Sequence, residues 1–387
     1  MRCGESGTLD WTVRWLRVSK HPELAVKAKH EAARHAERAP AHAELSLPSV
    51  TVDTYNEELR DEDGFVGDRA SGRAFRAILD DWRDRLAQNG EDPFGSKATQ
   101  DISKGELDKR LASDDPVAAG LIHSAVEEFA QELAAVVRRF LRLEKWKGTE
   151  RIVVGGGLSS SHIGRLAMGR AAVLLNAEGT RVELVPIDYH HDEAGLIGSL
   201  HFAPGWVFTG YDAILAADIG GTNLRVGVVK HHASKKSDLS RASVWKLEHW
   251  RHADDKPDRE EAVDRIAAMM TSLIGQTVSE QVKLAPFVGI ACPGIIDDKG
   301  VILRGGQNLP GNWEDASFNL SMEIASRLPK IDGDTALVVM HNDAVVQGLS
   351  EVPRMTDVER WAILTIGTGL GNARFTNQRR ADLSPAR

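Results

Sequence analysis

Twice in this chain an apolar run ends in a glycine-rich turn that carries a threonine and then returns as a second strand-like run. The first is Asp218-Ile219-Gly220-Gly221-Thr222-Asn223-Leu224-Arg225, between AILAAD at 213–218 and RVGVV at 225–229. The second is Thr365-Ile366-Gly367-Thr368-Gly369-Leu370-Gly371, which follows WAILTI at 361–366. Glycine has no Cβ, so backbone N–H groups in such turns can approach an anion closely, and the threonine hydroxyl adds a donor. The glycines alone read better as a plain Gly-Gly turn. Two such hairpins can grip a polyphosphate from both sides, and Asp218 before the glycines with Thr222 and Arg225 after them favour the phosphate reading of the first. Asp218, at a strand's end, is placed to hold a hydrated Mg²⁺. The chain carries no G-x-x-x-x-G-K-[ST] P-loop, and neither turn is the G-x-G-x-x-G of a dinucleotide site.

Length and charge narrow the rest. At 387 residues the chain is too long for one compact core, so two lobes are expected. A formal net charge of −8 gives no general attraction to nucleic acid or to anionic lipid, so neither is an expected partner. No apolar run is long enough to span a bilayer, and the opening MRCGESGTLDW lacks a secretory layout. Cys3 and Cys292 alone make neither a disulfide scaffold nor a zinc site, which fits a reduced, cytoplasmic setting.

Residues 22–45 read as a polar helix or solvated extension. A helix is predicted over 66–88 from the spacing of Phe75, Ile78, Leu79, Trp82 and Leu86, followed by a polar loop over 89–115. Asp115-Pro116 marks the start of a helix running to about Leu143, with Val117, Leu121, Ala125, Phe129, Leu133, Val136 and Phe140 on one stripe. Then come strand RIVV at 151–154, Gly155-Gly156-Gly157, a helix from Ser161, strand VELVPI at 182–187 and a short helix opened by Asp192. This βαβα order implies a partly parallel sheet. Pro204–Tyr211 reads as a linker, 258–278 as a helix, and FVGIAC (287–292) and ALVVM (336–340) as strands.

The second of these strands leads into His341-Asn342-Asp343, and an acid just past a strand's carboxyl end lies where open α/β sheets bind ligands. Phosphoryl transfer to an alcohol needs a base beside the attacking hydroxyl, and Asp343 suits that role. Capping of the helix from Ala344 is the alternative use, and the two are compatible. Asn342 can donate and accept hydrogen bonds to a polyol. So can Asn308 in Gly306-Gln307-Asn308-Leu309-Pro310-Gly311-Asn312-Trp313, unless that segment is only a Pro-Gly turn.

DIGGTNLRVGVV resembles the first phosphate motif of the ROK family of repressors, open reading frames and sugar kinases. ACPGIID, QNLPGNW, HNDA and TIGTGLG resemble its later motifs in order, and RIVVGGG and DEAGLIGSLHFAP resemble its closing segment. The resemblance covers most of residues 115–376 and implies a two-lobed, actin-like (ribonuclease H-like) α/β fold. It implies that Asp218, Gly220, Gly221, Thr222, Asn223 and Arg225 meet phosphate and metal. Gly367, Thr368, Gly369 and Gly371 meet phosphate, and Gly155, Gly156 and Gly157 lie near the nucleoside. Gly306, Asn308 and Asn342 meet sugar hydroxyls, and Asp343 is the base. ATP and Mg²⁺ are the implied cofactors and a glucose-like hexose the implied acceptor; a homodimer is left open.

Two departures accompany it. The closing segments precede the opening one, as in a circular permutation, and Cys3-Gly4-Glu5-Ser6-Gly7-Thr8-Leu9-Asp10 resembles a faded CGxxGCLE stretch. The family's E-x-G-H element and cysteine zinc cluster have no counterpart after Gly371, so no zinc site is expected. A sugar- or nucleotide-sensing protein without catalysis, and without a DNA-binding headpiece, is the alternative. The implied organisation is an extension (1–50), a larger lobe (51–203), a smaller lobe with the first hairpin and sugar loop (212–345), a return to the larger lobe (346–376) and a tail (377–387).

Overall fold

The structure, a computed structural model, describes residues 40–62 and 64–378. Cys3, its CGxxGCLE-like stretch and most of the 22–45 segment and of the tail lie outside those residues. In chain order the principal elements are β1 (Val50–Tyr55), α1 (Gly72–Ala87), α2 (Lys104–Leu111), α3 (Pro116–Arg142), β2 (Arg151–Gly155), α4 (His162–Ala177) and β3 (Glu183–Pro186). There follow α5 (Ala194–Gly198), α6 (Gly205–Gly210), β4 (Ala213–Ile219), β5 (Leu224–Lys230), β6 (Ser243–Trp250), α7 (Arg259–Ser279) and β7 (Leu284–Cys292). The last are α8 (Leu320–Arg327), β8 (Leu337–Asn342), α9 (Asp343–Leu349), β9 (Arg360–Ile366) and β10 (Leu370–Asn377).

The strands form two five-stranded sheets, ordered β8-β7-β4-β5-β6 and β1-β10-β9-β2-β3. In the first, β4, β5 and β6 make an antiparallel meander, and β7 and β8 continue parallel to β4. In the second, β9, β10 and β1 make the meander, and β2 and β3 continue parallel to β9. Strand for strand this is one topology used twice. The first lobe runs through it in chain order. In the second, the meander's third strand, β1, precedes its first two in the chain. This is the two-lobed, actin-like arrangement with one lobe permuted.

Each lobe has its own core. In the permuted lobe α3 lays Leu121, Ala125, Phe129, Leu133, Val136 and Phe140 against the sheet, all buried. Asp115 caps this helix by accepting from the N–H groups of Val117 and Ala118 at 3.1 and 3.0 Å. Val117, predicted on the same stripe, is 44% exposed, and the buried stripe starts at Ala118. The other lobe packs α7 and α8 on β4, β5, β7 and β8, and the capping box of Asp258 with Glu261 starts α7. A third core lies between the sheets, where α5 and α9 cross. A Cβ on Gly198 would stand 1.7 Å from Val346 O, so only glycine permits that crossing.

Three segments depart from expectation. Residues 204–211 are not a linker: α6 buries Trp206 and Val207 in the shared core. The predicted loop at 89–115 contains α2, capped by Ser103. Asp192 does not cap α5; its carboxylate pairs with Arg225 instead.

Candidate active site

The β4–β5 and β9–β10 turns are the same hairpin of the two equivalent sheets, and they meet. Thr222 Oγ1 and Thr368 Oγ1 lie 3.1 Å apart across a cleft of about 740 Å³ between the lobes. The first turn is closed by Gly220 N–H donating to Asn223 O at 2.9 Å. The second is closed by Gly367 N–H donating to Gly369 O at 3.0 Å. The N-terminus of α1 braces the second turn: Gly72 N–H donates to Gly367 O and Arg73 Nε to Thr368 O, both at 2.9 Å. Among the described residues, the N–H groups of Gly221, Thr222, Thr368 and Gly369 have no protein acceptor. Unspent backbone donors at two facing turns are what an anion requires.

The acids lie beneath the turns. Asp218 is buried at the end of β4, with Arg225 Nη1 at 3.6 Å. Burial pushes its carboxyl up; Arg225 offsets this and Asp192 adds to it. A Cβ on Gly195 would stand 2.6 Å from Asp218 Cγ, so α5 covers this carboxylate only because it has glycine there. Asp343, at the start of α9, is half-buried and lines the cleft. Burial first, and the Asp218 charge second, raise its carboxyl to about 6. Its Oδ1 accepts from Ala344 N–H at 2.9 Å. Cys292, at the end of β7, is buried, and its thiol is pushed up by burial and by both acids. The donors here are all oxygen, and the mutual repulsion of Asp218 and Asp343 is of the kind a hard divalent cation relieves, so the residues fit Mg²⁺.

The remaining expected residues divide. Asn308 lines the cleft and packs on Gly221, where a Cβ would come within 2.7 Å of Asn308 Cβ. Gly156 and Gly157 line it as well, whereas Gly155 is a strand residue paired with Thr365. Gly156 has φ +85° and lies so near β9 that a Cβ would be 2.4 Å from Ile366 O. Gly306 does not line the cleft; its N–H donates to Glu314 Oε1 at 2.8 Å. Asn342 is spent on structure. Its Oδ1 caps α9 by accepting from Ala344 and Val345 N–H, and its Nδ2 donates to Gly294 O at 3.0 Å. Buried His341 is neutral, its ring held at about 4 by burial, with Nδ1 accepting from Asn342 N–H and Nε2 donating to Glu44 O.

Sequence reasoning missed part of the wall. Asn56 and Glu58 just after β1, Asp68 just before α1, Arg73 and Arg76 on α1 and Lys104 on α2 line the cleft, as do His191 and Gln347. Asn56 is left-handed, with φ 51°, a conformation for which Asn is suited. Lys104 was findable: Ser103 and Glu106 have capping-box spacing inside the supposed loop, and Ser103 Oγ accepts from Glu106 N–H at 3.1 Å. His190, His191 and Asp192 bring metal-ligating atoms within 4.8 Å of one another, at the edge of this site.

No protein-family profile matches the chain, and no curated protein does. Among solved structures it is similar to a candidate N-acetylmannosamine kinase of Listeria monocytogenes, with 26% identity over 43% of this chain and 47% of that one, and a TM-score of 0.30. It is also similar to a candidate sugar kinase of Cytophaga hutchinsonii, with 21% identity, coverage of 43% and 48%, and a TM-score of 0.33. An exopolyphosphatase-like protein follows, with 10% identity, coverage of 65% and 88%, and a TM-score of 0.28. The chain spans about half the length of the first two of these proteins.

Proposed function

We propose that this protein transfers the γ-phosphoryl group of ATP to a hydroxyl of a small sugar, a glucose-like hexose foremost, with Asp343 as general base. The observation that carries the reading is the 3.1 Å approach of the Thr222 and Thr368 hydroxyls over the cleft that Asp343 lines. In this reading the unspent N–H groups of both turns take the β- and γ-phosphate oxygens, and Gly156 and Gly157 leave room for the nucleoside. Asn308 and the adjacent Gln307 orient the acceptor, whose hydroxyl approaches Asp343. A carboxyl held at about 6 is ionised at neutral pH, yet it takes a proton more readily than an ordinary aspartate. Asp218 would hold Mg²⁺ through water, and the bound ion would neutralise charge on the transferring group. The sequence motifs quoted above support the same assignment.

The test is an ADP-release assay across a panel of hexoses, amino sugars and polyols. Turnover with at least one of them is expected, and the double variant Thr222→Val/Thr368→Val should raise the KM for ATP by about tenfold or more through loss of two donors. Binding of ATP or sugar with no turnover for any acceptor would defeat the kinase reading in favour of a sensing role.

A further inference from the structure

Arg60 lines the cleft paired with Glu58 at 3.3 Å, but three further cations on the same wall form no ion pair among the described residues: Arg73 and Arg76 on α1 and Lys104 at the start of α2. That sets them apart in a chain with 56 acidic against 48 basic residues. Other arginines of the same lobe are paired, Arg83 with Asp92 at 2.9 Å and Arg151 with Asp357 at 2.8 Å. The three are fixed in place by the fold. Arg73 Nε is bonded to Thr368 O at the tip of the second turn. Arg76 is held by Ile102 O at 2.6 Å and by Thr99 O. Lys104 Nζ lies over the glycine loop, 2.6 Å from where a Cβ on Gly157 would stand. The row of charge therefore runs from the Gly156–Gly157 loop to the second hairpin.

We infer that Lys104 and Arg73, with Arg76 behind them, bind the phosphate chain of the donor along the permuted lobe. Arg76 and Lys104 are half-buried like charges, an arrangement that costs free energy in the free protein and that a polyanion relieves. Guanidinium and ammonium groups form charge-assisted hydrogen bonds to phosphate oxygens. The wall faces the turns, whereas Asp343 and Asn308 belong to the other lobe, so the anion expected there is the donor and not the acceptor. This rests on the phosphotransfer reading and extends it to residues outside the glycine turns.

The test is calorimetric titration of the full chain with inorganic triphosphate and, separately, with adenosine. Lys104→Ala and Arg73→Ala should each weaken triphosphate binding by about tenfold, as expected for loss of one charge-assisted contact. They should also reduce its salt dependence. Adenosine binding should be unchanged, and Lys104→Arg should retain the triphosphate affinity. Unchanged triphosphate affinity in both alanine variants overturns the inference and leaves the phosphotransfer reading standing. An equal loss for adenosine overturns it too, since it would report a distorted cleft. If the unaltered protein binds neither triphosphate nor ATP, both readings fall.

Discussion

Asp343→Asn should make the protein less active and more stable. Asparagine keeps the shape and can still accept the Ala344 N–H at its Oδ1, so the start of α9 is preserved. It cannot take a proton from an alcohol, and turnover should fall about 10²–10⁴-fold, the usual size of a general-base effect. The stability gain follows from the carboxyl held at about 6 against 3.8 in an unfolded chain. Above pH 6 the folded protein carries an ionised carboxylate it disfavours, a penalty on the order of 2–3 kcal/mol. The sign is that of a raised acid: the folded state binds the proton more tightly, so the wild type regains stability as pH falls from about 6 toward 4. The variant's advantage should be full at pH 8 and gone near pH 4. Thermal melts across that range, beside ADP release at pH 7–8, measure both effects. For the wild type, kcat/KM should climb with pH through about 6. An Asp343→Asn protein that is less stable at pH 8, or that keeps its turnover, would refute the reasoning. A purely structural aspartate would move the melts and leave turnover alone.

Gly156→Ala imposes a left-handed backbone at φ +85° on an alanine whose Cβ would lie 2.4 Å from Ile366 O; unfolding in urea should show a loss of about 1–3 kcal/mol or more. Asn342→Ala removes the cap of α9 and the tie to Gly294 O, and should cost about 1–3 kcal/mol in the same assay. Asn342→Asp should restore the capping share of that loss, which a residue lost only from acceptor binding would not do. A re-permuted chain, cut between Gly210 and Tyr211 and rejoined by a short turn from Gln378 to Ser49, whose carbonyl already accepts from Gln378 N–H at 3.0 Å, should fold with a cooperative melt. Failure of that chain to give a cooperative melt would count against the equivalence of the two sheets.

The two hairpin turns were legible because their signal is local: a strand, a turn needing small residues, a hydroxyl and a returning strand lie within one short window. The place of Asp343, just past the end of β8 and lining the cleft, was legible for the same reason. Its partner Asn342 was read as an acceptor ligand, since sequence does not say which way an amide faces; the fold spends it on α9 and on Gly294. Val117 was misplaced because periodicity gives a stripe but not where along the helix burial begins. The edge strands β1 and β6 went unread for a different reason. β1 alternates buried and partly exposed residues, and β6 carries Lys246, Glu248 and His249 on a half-exposed ribbon, so neither has the continuous apolar signal of β4 or β7. The cationic wall was missed because Arg73, Arg76 and Lys104 come from two helices whose convergence is tertiary.

The permuted order explains why the cleft can survive a chain that begins its second sheet in the middle. In that sheet β10 leaves the second hairpin at Leu370 and runs away from the cleft to Asn377, which pairs with Val50; β1 then runs back, so Tyr55 pairs with Ala373 and Asn56 lines the cleft. The strand ends separated by the permutation thus meet at the far edge of the sheet, where Gln378 N–H donates to Ser49 O at 3.0 Å. Neither glycine hairpin is interrupted, and neither are the crossings from β8 into α9 or from β3 toward α5. A cut at that edge removes one antiparallel connection and no group that faces the cleft, and pairing of β1 with β10 restores the register. The same cut placed between β9 and β10 would open the second turn and free Thr368 from Thr222. Of the two meander connections in this lobe, only the one between its second and third strands can be given up without dismantling the site.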